Sequence, residues 1–210
     1  MLKHLACSAA VFLLLAPGLF AQDNKWVISG FDSFANFTVR HLMITKAGGK
    51  IGGMKGTVIY DPKDPSKDSV EATLDVKTFA TGEPKRDAQV TTDYFEVAKY
   101  PTITFKSTKV TGASDGGLTV TGDLTIKGTT KQVVLDVEAP SPPVKDAQGR
   151  TKVGITATTK VSRKDFGIVG TALDGAVEAG GIIVSDQVSI ELDLELMRPS
   201  QTGIVGPAKH

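Results

Sequence analysis

The sequence predicts an all-β fold, and three observations carry that prediction: a two-residue hydrophobic period, short turns between the segments that show it, and a single helical interruption. The period is plainest over residues 103–138, where segments 103–110, 118–126 and 132–138 follow one another. In the middle segment Leu118, Val120, Gly122, Leu124 and Ile126 share one face, and Thr119, Thr121, Asp123, Thr125 and Lys127 share the other. Successive side chains of a strand point to opposite sides, so each segment has one apolar and one wet face. The connections at 113–117 and 127–130 are short and carry glycine, which makes neighbouring strands antiparallel.

From the N-terminus, residues 1–21 are expected to lie outside the fold. Lys3 and His4 precede an apolar run from Leu5 to Leu19, and Leu19-Phe-Ala21 before Gln-Asp resembles a signal-peptidase site. The run is short for a bilayer span, so a cleaved export signal is the reading, with an uncleaved anchor as the alternative. Cys7, the one cysteine, sits near the start of this segment, whereas a lipoprotein signal needs its cysteine after the apolar run. The remainder, about 190 residues, suits one domain over 22–198 followed by a loose tail at 199–210.

Within that domain, strands are expected at 26–29, 34–41, 53–61, 70–77, the central three, 152–163 and 187–196. In the last, Val188, Ile190, Leu192, Leu194 and Leu196 face one way and Ser189, Glu191, Asp193 and Glu195 the other. Residues 83–99 are the helical excursion: Pro84 suits a first helical turn, and Thr92 or Asp93 can cap a second short helix carrying Phe95. Pro101 ends it. Polar, proline-punctuated loops occupy 61–68 and 139–149. The Gly-rich stretch 48–53 lacks the helix pattern and the Gly-Lys-Ser/Thr ending of a phosphate loop, so it reads as a hairpin or bulge. Residues 168–184 are left unassigned. Eight or nine single-faced strands leave two architectures, a sandwich or a closed barrel.

Composition excludes several partners. Without Lys3 the chain carries 23 basic and 23 acidic residues, with no basic stripe, which argues against nucleic acid and anionic membrane surfaces. Beyond residue 21 there is no cysteine, so no disulfide supports the core. Histidines occur at 4, 41 and 210 alone, which rules out a Cys/His zinc site.

No catalytic constellation emerges, and the chain is expected not to be an enzyme. His41 shares the phase of Phe37 and Val39 and so reads as an interior, hydrogen-bonded imidazole, or as a contact for a ligand's polar end. Arg163 continues the inward phase of Val153, Ile155, Ala157, Thr159 and Val161; a buried guanidinium must be paired, by Asp165 or by a carboxylate on another strand, or must meet a ligand. Arg86-Asp87 reads as a solvated or capping pair. The carboxylates Glu71, Asp75, Asp123, Asp136, Glu191 and Asp193 fall on outward phases.

At this point the chain resembles the YceI-like family of secreted polyisoprenoid-binding proteins. The resemblance rests on Trp26 with Ile28, Ser33-x-x-x-Phe37-x-Val39-x-His41, Gly53-x-x-Gly56, Arg86-Asp87, Asp93-x-Phe95, Tyr100-Pro101-x-Ile-x-Phe105-x-Ser107, Gly122-x-Leu-Thr-Ile126-x-Gly128-x-Thr130 and Arg163-x-Asp165-Phe-Gly167. It departs from the family at Asp32, where His is frequent, and near Ile51, where an aromatic is frequent. If those two positions shape the pocket's mouth, head-group preference shifts with them.

The resemblance implies an eight-stranded antiparallel, lipocalin-like barrel with the short helical excursion over one end, holding a long isoprenoid or a similar amphiphile such as a quinone or fatty-acid derivative. Together with the export-signal form of residues 1–21, it points to a periplasmic or secreted carrier with no membrane span after signal cleavage; no cofactor beyond such a lipid is expected, and a homodimer is allowed as a partner state. Phe37, Val39, Phe79, Phe95, Phe105, Leu124, Ile126, Val161, Ile190 and Leu192 are the expected lining, with His41 and Arg163 as polar contacts. Two rivals remain: a dry-core β-sandwich adhesion or assembly module, and a lipid hydrolase with His41 as base.

Overall fold

The computed structural model describes residues 24–61, 63–176 and 183–198. The expected signal segment 1–21, the tail 199–210 and part of 168–184 lie outside the described residues. Strands β1 (Lys25–Ile28) and β2 (Phe34–His41) form one stave broken at 29–33, and β3 (Thr45–Ile51) and β4 (Lys55–Ile59) form a second broken at 52–54. With β5 (Ser69–Asp75), β6 (Thr102–Gly112), β7 (Leu118–Ile126), β8 (Thr129–Val137), β10 (Thr151–Ser162) and β11 (Gln187–Arg198) they complete a closed eight-stranded antiparallel barrel. A two-residue strand, β9 (Val144–Lys145), lies on the edge of β10. The barrel expected from the family markers is observed, and the sandwich is not.

Closure runs through β11. One edge pairs with β10 from Thr151↔Arg198 to Ser162↔Gln187. The other edge pairs with β2 from Ser189↔Thr38 to Asp193↔Phe34, then with β1 at Ile28↔Leu196 and Val27↔Met197. The break between β1 and β2 is bridged at Glu195, whose N–H donates to Ser33 Oγ at 3.0 Å and whose carbonyl accepts from Ser29 N at 2.8 Å. Ser33 is fully buried and stands in for a missing ladder acceptor. The 52–54 break is held by Gly52 N–H donating to Thr78 Oγ at 2.8 Å. Gly53 there has φ +60°, and a Cβ would lie 3.0 Å from that of Asp75. The glycine-rich stretch 48–53 is thus not a hairpin: Gly48 and Gly49 pair within β3, and Gly52 and Gly53 form the kink inside the stave.

Two long crossovers cover the end of the barrel where β2, β5 and β7 finish, here called the upper end. The first, 76–101, contains α1 (Pro84–Gln89), with Pro84 in its first turn and Glu83 accepting from the N–H groups of Lys85 and Arg86. Thr92 and Asp93 cap no second helix. The chain runs from α1 straight into a π turn (Val90–Tyr94), with Thr91 Oγ donating to the Asp87 carbonyl at 2.8 Å, and Phe95 N–H closes that turn on Val90. Asp87 accepts from both N–H and hydroxyl of Thr81, so it anchors the crossover rather than pairing with Arg86. The second crossover, 163–186, contains α2 (Thr171–Asp174). Lys127, in the β7–β8 turn, ties both crossovers down: its Nζ lies 2.6 Å from Glu96 and 3.2 Å from the Gly167 carbonyl. Among the described residues no helix is long and apolar enough to cross a membrane.

The β2–β3 hairpin projects beside this upper end. Leu42 and Met43 have φ +50° and +63°, and Ile44 N–H donates to the His41 carbonyl at 3.1 Å, the form of a type I′ turn. That turn favours Asn-Gly, because side chains with a Cβ pay roughly 1 kcal/mol or more in the left-handed region. M43G is therefore expected to stabilise the protein by about 1 kcal/mol and raise its melting temperature by roughly 2–4 °C, measured by thermal unfolding. A lower melting temperature would show that the exposed Met43 side chain contributes more than the turn strain costs.

Candidate functional site: the barrel interior

The apolar faces of all eight staves point inward and enclose a cavity of about 870 Å³. This is within the range of small-molecule sites, roughly 300–1,000 Å³. The buried side chains form two clusters that share strands β6, β7 and β10: Phe105, Val110, Val120, Leu135, Val137 and Ala157 in one, and a larger set around Ile28, Leu74, Ile103 and Leu196 in the other. The bore is kept open by small residues, Ala35, Ala47, Ala72 and Ala157, at inward positions where Leu or Phe would fill it. Gly122 serves differently: a Cβ there would lie 2.4 Å from the Phe105 ring, so its absence lets that ring lie flat against the wall.

All twelve side chains singled out from the sequence reach the cavity wall. Val39, Leu124, Ile190 and Leu192 are half-buried, and Phe105, Ile126 and Val161 are buried. Phe37, Phe79 and Phe95 come from three separate segments and meet at the upper end. Phe37 stacks on Phe79 with centroids 5.0 Å apart, and Phe79 meets Phe95 at 5.9 Å and 54°. Such pairs add to burial alone.

The two polar candidates behave differently from expectation. His41 is exposed at the upper rim, not interior: β11 stops pairing at Thr38, so β2 rises above the packed walls with β3 as its ladder partner. Its inward phase persists but points over the mouth. Ser185, on the segment bridged to it, has its hydroxyl committed, accepting from Arg40 N–H at 2.9 Å and donating to the Gln187 carbonyl at 2.9 Å.

Arg163 is 4 % exposed and its partner is neither Asp165 nor a strand carboxylate but Asp174 in α2, at 2.7 Å. Its other N–H groups donate to the carbonyls of Ser185, Ile168 and Val184. Among the described residues four donor contacts are thus taken by the crossover itself, which makes Arg163 the post around which 163–186 is wound. Of the two family departures, Ile51 is buried in the cavity wall, whereas Asp32 is exposed outside the bore and hydrogen-bonded to Ser29.

Sequence reasoning missed the lower end. Trp26, Tyr60, Asp68 and Arg198 also line the cavity, together with the loop at 140–143. Asp68 and Arg198 continue the inward phases of β5 and β11, but both lie just beyond the bounds drawn from the sequence. Following the alternation two residues further would have found them.

Comparison with known proteins places this geometry. The family model of the YceI-like domain matches residues 26–196. The chain is similar to Protein YceI of Escherichia coli, 33 % identical over 182 residues, covering 86 % of this chain and 94 % of that one. Among solved structures, BcnA of Burkholderia cenocepacia superposes with TM-score 0.65 at 24 % identity, covering 80 % of this chain and 98 % of that one. A polyisoprenoid-binding domain from Saccharophagus degradans, implicated in plant cell wall breakdown, superposes with TM-score 0.58 at 16 % identity over 83 % and 98 % of the two chains.

The Arg163–Asp174 contact gives the site a pH dependence. The hydrogen bond from Arg163, helped by Gly170 N–H and Lys164, holds the Asp174 carboxyl well below its ordinary value of 3.8. A depressed carboxyl stabilises the fold above its unfolded value, and that contribution is lost as pH falls through about 4 and below. D174A is expected to cost about 2–3 kcal/mol at pH 7, because it leaves a buried guanidinium unpaired. Urea unfolding should show that penalty shrinking between about pH 4 and pH 2.

Proposed function

The chain belongs to the YceI-like family, and from that membership and the open bore we propose that it sequesters or carries a long-chain isoprenoid lipid, or a similar amphiphile such as a quinone or fatty-acid derivative. The observation that carries this reading is the 870 Å³ apolar cavity running between the capped upper end and the 140–143 loop. Burying one methylene stabilises by about 0.8 kcal/mol, so a chain of roughly twenty carbons offers more than about 10 kcal/mol before ordering costs. Such a guest needs a tube and few polar contacts. The likeness to a polyisoprenoid-binding domain supports the same ligand class.

The reading is of a binding protein without catalysis, since among the described residues the apolar walls offer no nucleophile paired with a base. Its place of action is periplasmic or extracellular, a reading supported by the form of residues 1–21. The dry-core alternative has no support in a barrel with this bore.

Native mass spectrometry of protein purified gently from its own host, followed by denaturing extraction, should release a prenyl or other long-chain lipid. A second test blocks the tube from within. Ala157 is 2 % exposed and pairs with Val137 and Leu192 at mid-wall. A157F is expected to weaken binding of a long prenol at least about tenfold in calorimetry, and to lower the melting temperature by roughly 2–10 °C through overpacking of the wall. No lipid from repeated preparations, together with no binding on titration, would remove the proposal.

A further inference from the structure

The lower end of the bore holds an unexplained set of polar atoms. Among the described residues, four buried side-chain polar atoms lack a hydrogen-bond partner: Trp26 Nε1, Asp68 Oδ2, Arg198 Nε and Glu195 Oε1. Glu195 is on the outward phase and has Lys152 Nζ at 2.8 Å as its ion partner. The other three belong to residues that line the cavity at one end. An orphaned buried polar group costs about 1–3 kcal/mol, so three at the same end of one cavity need a reason.

Two of them are neighbours across paired strands, and the third stands just before β5 at the same end of the barrel. Val27 pairs with Met197, so Trp26 and Arg198 are neighbours across β1 and β11, and the Arg198 guanidinium lies 4.3 Å from the Trp26 ring centre. That cation–π contact uses the face of the ring, and the indole N–H and the Arg198 Nε–H both lack acceptors. Trp26 is 5 % exposed, so water reaches its N–H poorly. Asp68 precedes Ser69, which pairs with Ile59, and it continues the inward phase of Val70, Ala72 and Leu74. Its Oδ1 is taken by Asp61 N–H, and its Oδ2 is the orphan. Burial raises the carboxyl of Asp68 above its ordinary value, as expected of an acid facing an apolar bore.

Two free donors and one free acceptor are the complement of a hydroxyl, whose oxygen accepts two hydrogen bonds and donates one. We propose that Trp26, Asp68 and Arg198 form a head-group site for a lipid ending in a hydroxyl, with Trp26 and Arg198 donating to its oxygen and Asp68 accepting its proton in a hydrogen bond. The site rests on the lipid-binding reading above and adds polarity to it: the head lies at the end away from the helical crossover, and the tail runs up toward Phe37, Phe79 and Phe95. A carboxylate head satisfies the two donors but leaves Asp68 facing a like charge. A bare hydrocarbon leaves all three atoms orphaned.

Trp26 is the one tryptophan in the chain, so its fluorescence reports on this end alone. The full chain is titrated with geranylgeraniol and with the same carbon skeleton ending in a methyl group, following both heat release and Trp26 emission. The prenol should bind about tenfold more tightly than the hydrocarbon and should alone shift the emission. W26F, which keeps a ring and loses the N–H, and R198M, which keeps the stem, should each move the affinity ratio toward one. Thermal unfolding first establishes that each variant is folded, and either variant suffices. Equal affinities, or prenol binding that leaves Trp26 emission unchanged, would overturn the head-group site while lipid carriage stands. If neither chain binds, both readings fall.

Discussion

The backbone pairing of β11 on both of its edges is the constraint from which the rest follows. Once β11 joins β10 along its whole length and the broken stave β1–β2 on the other side, the sheet has no free long edge there and must curve. Eight staves set the bore at a width that side chains can fill or leave open. The inward alanines leave it open. The two breaks in the N-terminal staves are where curvature is absorbed, and each is paid for locally by one hydroxyl, Ser33 or Thr78, that replaces a ladder partner.

A closed wall alone would make an open pipe, so the upper end depends on a second layer of interactions. Arg163 and Lys127 organise it from neighbouring staves, Arg163 at the end of β10 and Lys127 in the turn that leads into β8. Arg163 gathers the second crossover through three carbonyls and Asp174, while Lys127 joins that crossover at Gly167 to the first one at Glu96. The hydrogen bond from Lys127 also holds the Glu96 carboxyl below its ordinary value. Charges thus fix the cover, and apolar contacts fix the tube. Arg163 and Arg86, which reads in sequence as one polar marker among many, therefore differ in kind: the first is an internal post, the second an exposed rim residue on the cavity mouth.

Most of the wall was legible from alternation. The segments 118–126 and 187–196 pair and face as their period dictates, and the outward carboxylates Glu71, Asp123, Asp136, Glu191 and Asp193 are exposed. Alternation did not reveal closure, because a strand in a sandwich has the same period; the order of family markers supplied that step. It also hid β3, where Ala47, Gly48 and Gly49 give no apolar contrast although the backbone pairs from Ala35↔Ile51 to His41↔Thr45. His41 was misplaced because phase predicts direction and not height: the residue points inward from a strand that has already left the packed wall. Asp68 and Arg198 were missed for the opposite reason, since charge at a strand end reads as an end of burial.

That last misreading bears on what the bore is for. An apolar cavity this size forgoes dispersion contacts that a few larger side chains would restore, and the wall offers sites for them at Ala72 and Ala157. A chain selected for stability alone would fill those positions and would replace Asp68 and Arg198 with apolar residues. It does neither. The missing contacts along the tube and the unmatched polar atoms at its lower end are two halves of one deficit, apolar in the middle and polar at the tip. A single amphiphile with a long tail and a small oxygen head makes good both at once. Larger side chains in the tube would restore the first loss alone, and as long as Trp26, Asp68 and Arg198 stay, their three polar atoms would still lack partners.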